Sequence, residues 1–251
     1  MRLYLSSMRK QAIPAFAVGI IYAVVLMTLI VIYNSNSMIY YQISPYSYAS
    51  EPIDFFFGLI VSIPFSIYTF FMKKDNFLEY VHVRISRKKY ILIHILSTMA
   101  VCFLMVFIVN IIGVVFSCNI ADLVETGNKP TLANYIFGEL QMYNPIAFGI
   151  LWSLQKALIG TIICLFGQIT ALYIENLFLA LIAPFAYIIV ENFITSILGL
   201  SRFSITTTFV LNRLKPRSMT ITNITIGSIC FILIIAIIGT VLRSRFNGEK
   251  V

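Results

Sequence analysis

Apolar runs long enough to cross a bilayer recur along the whole chain. A membrane-spanning helix needs about 20 consecutive apolar residues. Runs of this length lie at about residues 12–33, 53–72, 90–116, 146–172, 177–198 and 224–242. Because backbone amides in lipid must be satisfied within the segment itself, we expect each run to be a helix. The sequence therefore predicts an all-α integral membrane protein, a polytopic bundle of about six transmembrane helices.

Composition supports a membrane protein with one domain. Hydrophobic residues make up 59% of the 251 residues and charged residues only 11%, whereas a soluble domain carries about 25% charged residues. Six spans leave too few residues for a separate soluble domain of typical size. We therefore predict a single transmembrane domain over residues 1–251. The four scattered cysteines have no metal-binding spacing, so we interpret them as structural thiols and predict no metal site.

The distribution of Lys and Arg predicts the orientation. Cytoplasmic loops of membrane proteins are enriched in these residues. Residues 1–11 and the tail hold three each and residues 73–89 hold six, whereas residues 34–52 hold none and residues 117–145 hold one. Both termini should therefore be cytoplasmic, with 1–11 as a lead-in and 73–89 as a cytoplasmic loop. Residues 117–145 should be external.

One basic segment disagrees with this rule. Residues 199–223 carry Arg202, Arg213, Lys215 and Arg217, although six spans make this segment external. If residues 177–198 dipped into the membrane and returned, the basic segment would become cytoplasmic, but the tail would then lie outside. We keep six spans and predict an external segment at 199–223.

The cytoplasmic loop is predicted to contain a short amphipathic helix. At 100° per residue an apolar face separates from a polar one. The apolar face comprises Phe77, Leu78, Val81 and Ile85, and the polar face Glu79, His82 and Ser86. The polar face would meet a cytoplasmic partner. In the simpler interpretation, the loop only fixes topology.

Residues 76–95 contain a distinctive set of charged and aromatic side chains: Glu79, Tyr80, Arg84, Ser86, Arg87, Lys88, Lys89 and Tyr90. With this segment and the layout of its spans, the chain resembles the permease subunits of bacterial ABC exporters of the type-2 class. The segment itself is similar to that of small permeases found beside peptide-export and peptide-immunity ATPases. The chain departs from the family in its short lead-in and in the long segment 117–145.

The resemblance implies a coupling helix that docks on an ATPase in the cell membrane of a bacterium. The residues assigned to coupling are Asn76, Glu79, His82, Arg84, Ser86 and Arg87. The implied partners are two cytoplasmic ABC ATPase subunits, a second copy of this chain or a related permease, and membrane lipid. Because the sequence lacks GxxxxGK[ST], we predict that this chain is not an enzyme and binds no cofactor. ATP and Mg²⁺ would bind to the partner ATPase.

Two charged residues inside predicted spans are candidate functional groups. Charges within a bilayer usually face the protein interior or water. Lys156 and Glu191 would both lie in the outer half of the membrane, and they could pair if spans four and five adjoin. Alternatively, Lys156 anchors its helix at the outer surface. Uncharged polar residues within the spans, such as Asn110, are expected to hydrogen-bond between helices. The tyrosines of residues 34–50 are expected to form an interfacial aromatic belt.

The predicted cargo is amphipathic or hydrophobic: a membrane-active peptide, a bacteriocin or a lipophilic antibiotic. An interior this apolar offers few partners to a charged solute. The rival hypotheses are an ATPase-independent secondary transporter, which would need carboxylates at mid-membrane, and a non-transporting assembly or sensor subunit. Nucleic-acid binding is not predicted, because the net charge of +8 arises from the loops that set topology.

Overall fold

The computed structural model describes residues 2–75, 86–124, 132, 135–211, 213–214 and 220–248. Its helices are α1 (Arg2–Asn36), α2 (Ser44–Phe55), α3 (Phe57–Lys74), α4 (Arg87–Ile120), α5 (Gly138–Tyr143), α6 (Pro145–Tyr173), α7 (Leu177–Ile197) and α8 (Ile221–Gly248). Two 3₁₀ turns, Ser201–Phe203 and Ile205–Thr208, follow α7. The described residues form no β-strand, only an isolated bridge between Ile39 and Leu123. The all-α prediction is confirmed.

Five of these helices are long and apolar enough to cross a membrane, and the pair α2 and α3 counts as a sixth if it forms one broken span. The pair is bent by 55°. At the bend, the Phe56 N–H donates to the Ile53 carbonyl at 2.9 Å, and Leu59 N–H donates to Phe56 at the same distance. These tighter bonds are typical of a 3₁₀ turn. The helical region that contains the predicted span 53–72 therefore begins earlier, at Ser44, and is not straight.

The core forms where α4 and α6 pack together, with α1 and α3 against them. Gly149 on α6 lies so close to Val114 on α4 that a Cβ at this position would overlap the valine side chain. Gly160 similarly faces the ring of Phe57 on α3. Small residues at such contacts let membrane helices approach closely. An ion pair between Lys156 and Asp54 lies beside this contact.

The ends of α1, α3 and α4 lie together at one end of the bundle, which we call the basic end, and α8 packs beside the end of α6. Gln11 on α1 and Thr69 on α3 hydrogen-bond the two ring nitrogens of His94 on α4, at 2.7 and 3.0 Å. Gly239 on α8 lies near Ile169 on α6. The sequence segments that lead to or from this end, 1–11, 73–89 and 243–251, hold twelve of the 18 Lys and Arg residues. The structure thus brings together the helix ends that the basic segments adjoin.

The predicted external segments are partly inside the bundle. Helix α4 extends through residues 117–120, and α5 lies within 138–143. Within 199–223, the side chains of Ile205 and Phe209 are buried, and the Phe209 ring lies 5.0 Å from the ring of Phe57. This chain segment folds back because its apolar residues complete the core. The segment thus packs into the bundle, and its external side at 199–223 stays a prediction.

Candidate functional site

A buried ion pair joins two helices in the interior of the bundle. Lys156 on α6 pairs through its Nζ with Oδ1 of Asp54, in the last turn of α2, and both side chains are fully enclosed. The Lys156 ammonium also lies 5.4 Å from the centre of the Phe57 ring, within the range of a cation–π contact. Lys156 is thus compensated by a carboxylate on one side and an aromatic face on the other.

Three uncharged polar side chains surround the pair. The hydroxyls of Tyr22 on α1 and Tyr46 on α2 both donate to Oδ1 of Asn110 on α4, at 3.2 and 2.7 Å. The Asn110 amide in turn donates to the Val106 carbonyl at 2.7 Å. Both tyrosine hydroxyls lie close enough to Lys156 to interact with its charge. We call Tyr22, Tyr46, Asp54, Asn110 and Lys156 the interior cluster.

Local helix geometry explains why α2 supplies two members of the cluster. Tyr46 and Asp54 are eight residues apart, slightly more than two helical turns, so they lie on the same face. Tyr46, Ala49, Ser50, Ile53 and Asp54 are all buried on α2. The helix turns this face towards α1 and α4, and the bend at Phe56 then directs α3 along the bundle. The pairing with Lys156 therefore depends on the bent geometry.

The interior cluster is electrically balanced but vulnerable to single changes. An unpaired charge inside a membrane protein is costly. Removing one partner of a buried ion pair typically destabilises a protein by about 3 to 5 kcal/mol, because the other charge remains enclosed. The cluster can therefore hold α1, α2, α4 and α6 in one arrangement. A movement of α2 relative to α6 would have to open the pair.

Glu191 does not pair with Lys156, contrary to one predicted possibility. Its carboxylate accepts hydrogen bonds from the Ser204 hydroxyl at 2.8 Å and from the Ile205 N–H at 3.3 Å. The Arg213 guanidinium donates to the side chain of Asn192 and, at 3.3 Å, to Thr207. We call Glu191, Asn192, Ser204 and Arg213 the outer cluster. The alternative that Lys156 is a surface anchor is also wrong, because its side chain is fully buried.

The outer cluster accounts for part of the basic segment that breaks the topology rule. Burial lowers the pKa of the Arg213 guanidinium from its ordinary value, and nearby Glu191 opposes this shift. Because the ordinary pKa of arginine lies far above neutral pH, Arg213 stays charged. Arg202 lies over the ring of Phe203 at 4.8 Å. Two of the four basic residues in 199–223 thus have partners within the protein.

The predicted coupling residues are mostly outside the described residues. This applies to Asn76, Glu79, His82 and Arg84. Ser86 is described, exposed, and precedes the first residue of α4, and Arg87 begins that helix. The predicted amphipathic helix therefore stays a prediction.

Sequence reasoning missed Asp54, Tyr22 and Tyr46. The sequence did contain a signal for the first of these, since Asp54 and Glu191 are the only acidic residues within the six predicted spans. A buried lysine needs one of them as its counterion. Tyr46 was expected in an interfacial belt, but its side chain is fully buried. The hydrogen-bonding prediction for Asn110 is confirmed.

Among the described residues, no three His, Cys, Asp or Glu side chains gather as metal ligands would. All four cysteines are free thiols. The fold and the enclosed charged cluster define an α-helical protein with the features of a multi-pass membrane protein. No protein-family model, no curated protein and no solved structure matches the chain.

Proposed function

We propose that this chain is the transmembrane subunit of an ATP-driven ABC exporter of the type-2 class, in the cell membrane of a bacterium. The observation that carries the proposal is the basic end of the bundle. The ends of α1, α3 and α4 are held there by one hydrogen-bonded group around His94. The proposed coupling segment, residues 76–86, connects two of these three helices. An ATPase that binds this segment would act on all three helices together.

The bent pair offers a route from the ATPase to the interior cluster. Helix α3 leads from the coupling segment to the bend at Phe56, where Asp54 pairs with Lys156. Helix α3 also packs against α6 and α7. In the proposed cycle, ATP-driven displacement of the coupling segment moves α3, and the bend converts this into a change between α2 and α6. ATP and Mg²⁺ bind to the separate ATPase.

The proposed cargo is an amphipathic or hydrophobic molecule, such as a membrane-active peptide, a bacteriocin or a lipophilic antibiotic. Large apolar side chains dominate both the core and the outer faces of the helices. A second copy of this chain, or a related permease, would complete the pathway, with two ATPase subunits below. Deleting the gene should sensitise cells to such a peptide or retain it inside them.

The coupling role is tested with the ATPase encoded beside this chain, copurified with it in detergent. Glu79→Lys and Arg84→Glu should each lower ATPase stimulation or complex formation, with insertion unchanged. The matched control is Glu175→Lys, because Glu175 is an exposed acid in the α6–α7 connection at the same end. Normal coupling in both variants would mean that the loop only sets the orientation of the chain in the membrane. The absence of a neighbouring ATPase gene would contradict the exporter itself.

The proposed orientation is tested by labelling single cysteines in a background without the native thiols. Cysteines at positions 40 and 125 should react with a membrane-impermeant reagent from outside the cell. Cysteines at positions 80 and 247 should react only after the membrane is opened. Labelling of position 80 in intact cells would place the proposed coupling segment on the wrong side.

The interior cluster favours one alternative, an ATPase-independent secondary transporter. Ionisable groups in the membrane interior frequently mark ion pathways, and Asp54 adds an enclosed carboxylate to the one expected at Glu191. The two functions differ in their energy source. The exporter requires vanadate-sensitive, ATP-dependent flux in inside-out vesicles, whereas the alternative requires flux that follows an ion gradient and stops in Asp54→Asn. Absence of both kinds of flux would favour an assembly or sensor subunit.

A further inference from the structure

An open apolar groove runs between α1 and α4, starting at the basic end. Its volume is about 550 Å³. The described residues that line it are apolar, including Phe16 on α1 and Leu104 and Ile108 on α4, except for the charged Arg9. The side chain of Arg9 is exposed. The groove therefore combines a long apolar floor with one cation at one end.

From these features we propose that the groove binds one anionic phospholipid, with an acyl chain along α1 and α4 and the phosphate at Arg9. The exposed side chain of Lys10 adds a second positive charge near the mouth. Among the described residues, no acidic side chain lines the groove to repel an anion. Basic residues at a membrane surface attract anionic lipids.

The dimensions of the groove fit a lipid of one leaflet. The apolar floor on α1 extends from Ala12 to Ala23. At 1.5 Å per residue these eleven steps cover about 16 Å, close to half of a hydrocarbon core about 30 Å thick. An acyl chain whose headgroup lies at Arg9 therefore ends near the middle of the membrane.

A helix from a second copy of the chain is the other possible occupant of the groove, and the variants below distinguish it from a lipid. Such a helix is about 10 to 12 Å in diameter with its side chains, so it would cover the open side of the groove and not lie within it. Gly19, at the floor, already packs against Met105, since a Cβ there would lie 3.1 Å from the Met105 Cγ. The space above this floor suits a thin, flexible chain. The proposal does not depend on the exporter function.

The test uses the whole chain in lipid nanodiscs and a phosphatidylglycerol with a photoreactive group on its acyl chain. Labelled peptides are identified by mass spectrometry. The crosslinks should fall on α1 and α4. Unlabelled phosphatidylglycerol should compete better than phosphatidylcholine, and glycerol phosphate should not compete. Equal competition by both lipids, or competition by glycerol phosphate, would overturn the proposal.

Two pairs of variants localise the site. Arg9→Gln should weaken phosphatidylglycerol competition about fivefold, the factor equivalent to about 1 kcal/mol per basic side chain, while Lys10→Gln changes it less than Arg9→Gln. Ala12→Phe should fill the groove and reduce labelling, whereas Ala17→Phe should not, because Ala17 is exposed on α1 but does not line the groove. Unchanged labelling in both Arg9→Gln and Ala12→Phe would overturn the site. The site would also be overturned if Ala12→Phe dissociated a dimer of the chain and left lipid labelling unchanged.

Discussion

The interior and outer clusters contain the same elements, a basic and an acidic side chain with hydroxyl or amide neighbours, but differ in burial. Asp54 and Lys156 are fully enclosed and contact each other directly. Glu191 and Arg213 are partly exposed, and each makes its hydrogen bonds to other groups. Direct pairing is required where solvent is excluded, because water cannot compensate an enclosed charge. In the outer cluster, backbone and hydroxyl groups share that task with solvent.

The largest expected effect follows from removing Lys156. Lys156→Met leaves Asp54 as an enclosed, uncompensated carboxylate, so the free energy of unfolding should fall by about 3 to 5 kcal/mol. The measurement is unfolding in mixed micelles with increasing SDS. The control is Lys10→Met, because Lys10 is exposed. Equal stability of the two variants would show that the interior pair contributes nothing.

A smaller effect is expected from the hydrogen bond between Tyr46 and Asn110. Tyr46→Phe removes a 2.7 Å bond, and a bond of this kind contributes about 1 kcal/mol net. Tyr48→Phe on the same helix is the control, since the side chain of Tyr48 is exposed. The SDS midpoint should fall for the first variant and stay unchanged for the second. The reverse order would remove Tyr46 from the interior cluster.

The smallest effect is expected in the outer cluster. Arg213→Gln should cost less than about 1 kcal/mol, because solvent screens a partly exposed charge. This loss should shrink further in high salt, where the screening length falls from about 8 Å to about 3 Å. The loss caused by Lys156→Met should keep its size under the same conditions. A salt-sensitive interior pair would contradict the difference in burial between the clusters.

The membrane helices could be predicted from the sequence because lipid demands long apolar runs. The structure starts α2 at Ser44, nine residues before the predicted span, although Tyr, Ser and Pro made this stretch resemble a loop. Its buried positions, Tyr46, Ala49, Ser50 and Ile53, do follow helical spacing. Hydropathy alone misses this pattern, since polar members of a buried face lower the average.

The partner of Lys156 could not be chosen from the sequence alone. Asp54 and Lys156 are separated by 102 positions, and their contact depends on the 55° bend at Phe56. Glu191 was an equally acidic candidate in a span adjacent in sequence. What excludes it is the fold-back of residues 204–211, which gives Glu191 its own hydrogen-bond donors. Tertiary packing of a segment between two long helices therefore decides the pairing.

A double-mutant cycle tests the assignment of Asp54 to Lys156 most directly. Asp54→Asn, Lys156→Gln and the double variant are compared by unfolding in SDS, in parallel with a second cycle that uses Glu191→Gln and Lys156→Gln. Contacting residues show coupling energies of about 0.5 to 3 kcal/mol, whereas distant sites are additive within about 0.5 kcal/mol. We predict coupling near the upper limit for Asp54 with Lys156 and additivity for Glu191 with Lys156. Strong coupling of Lys156 to Glu191, with additivity at Asp54, would contradict the assignment.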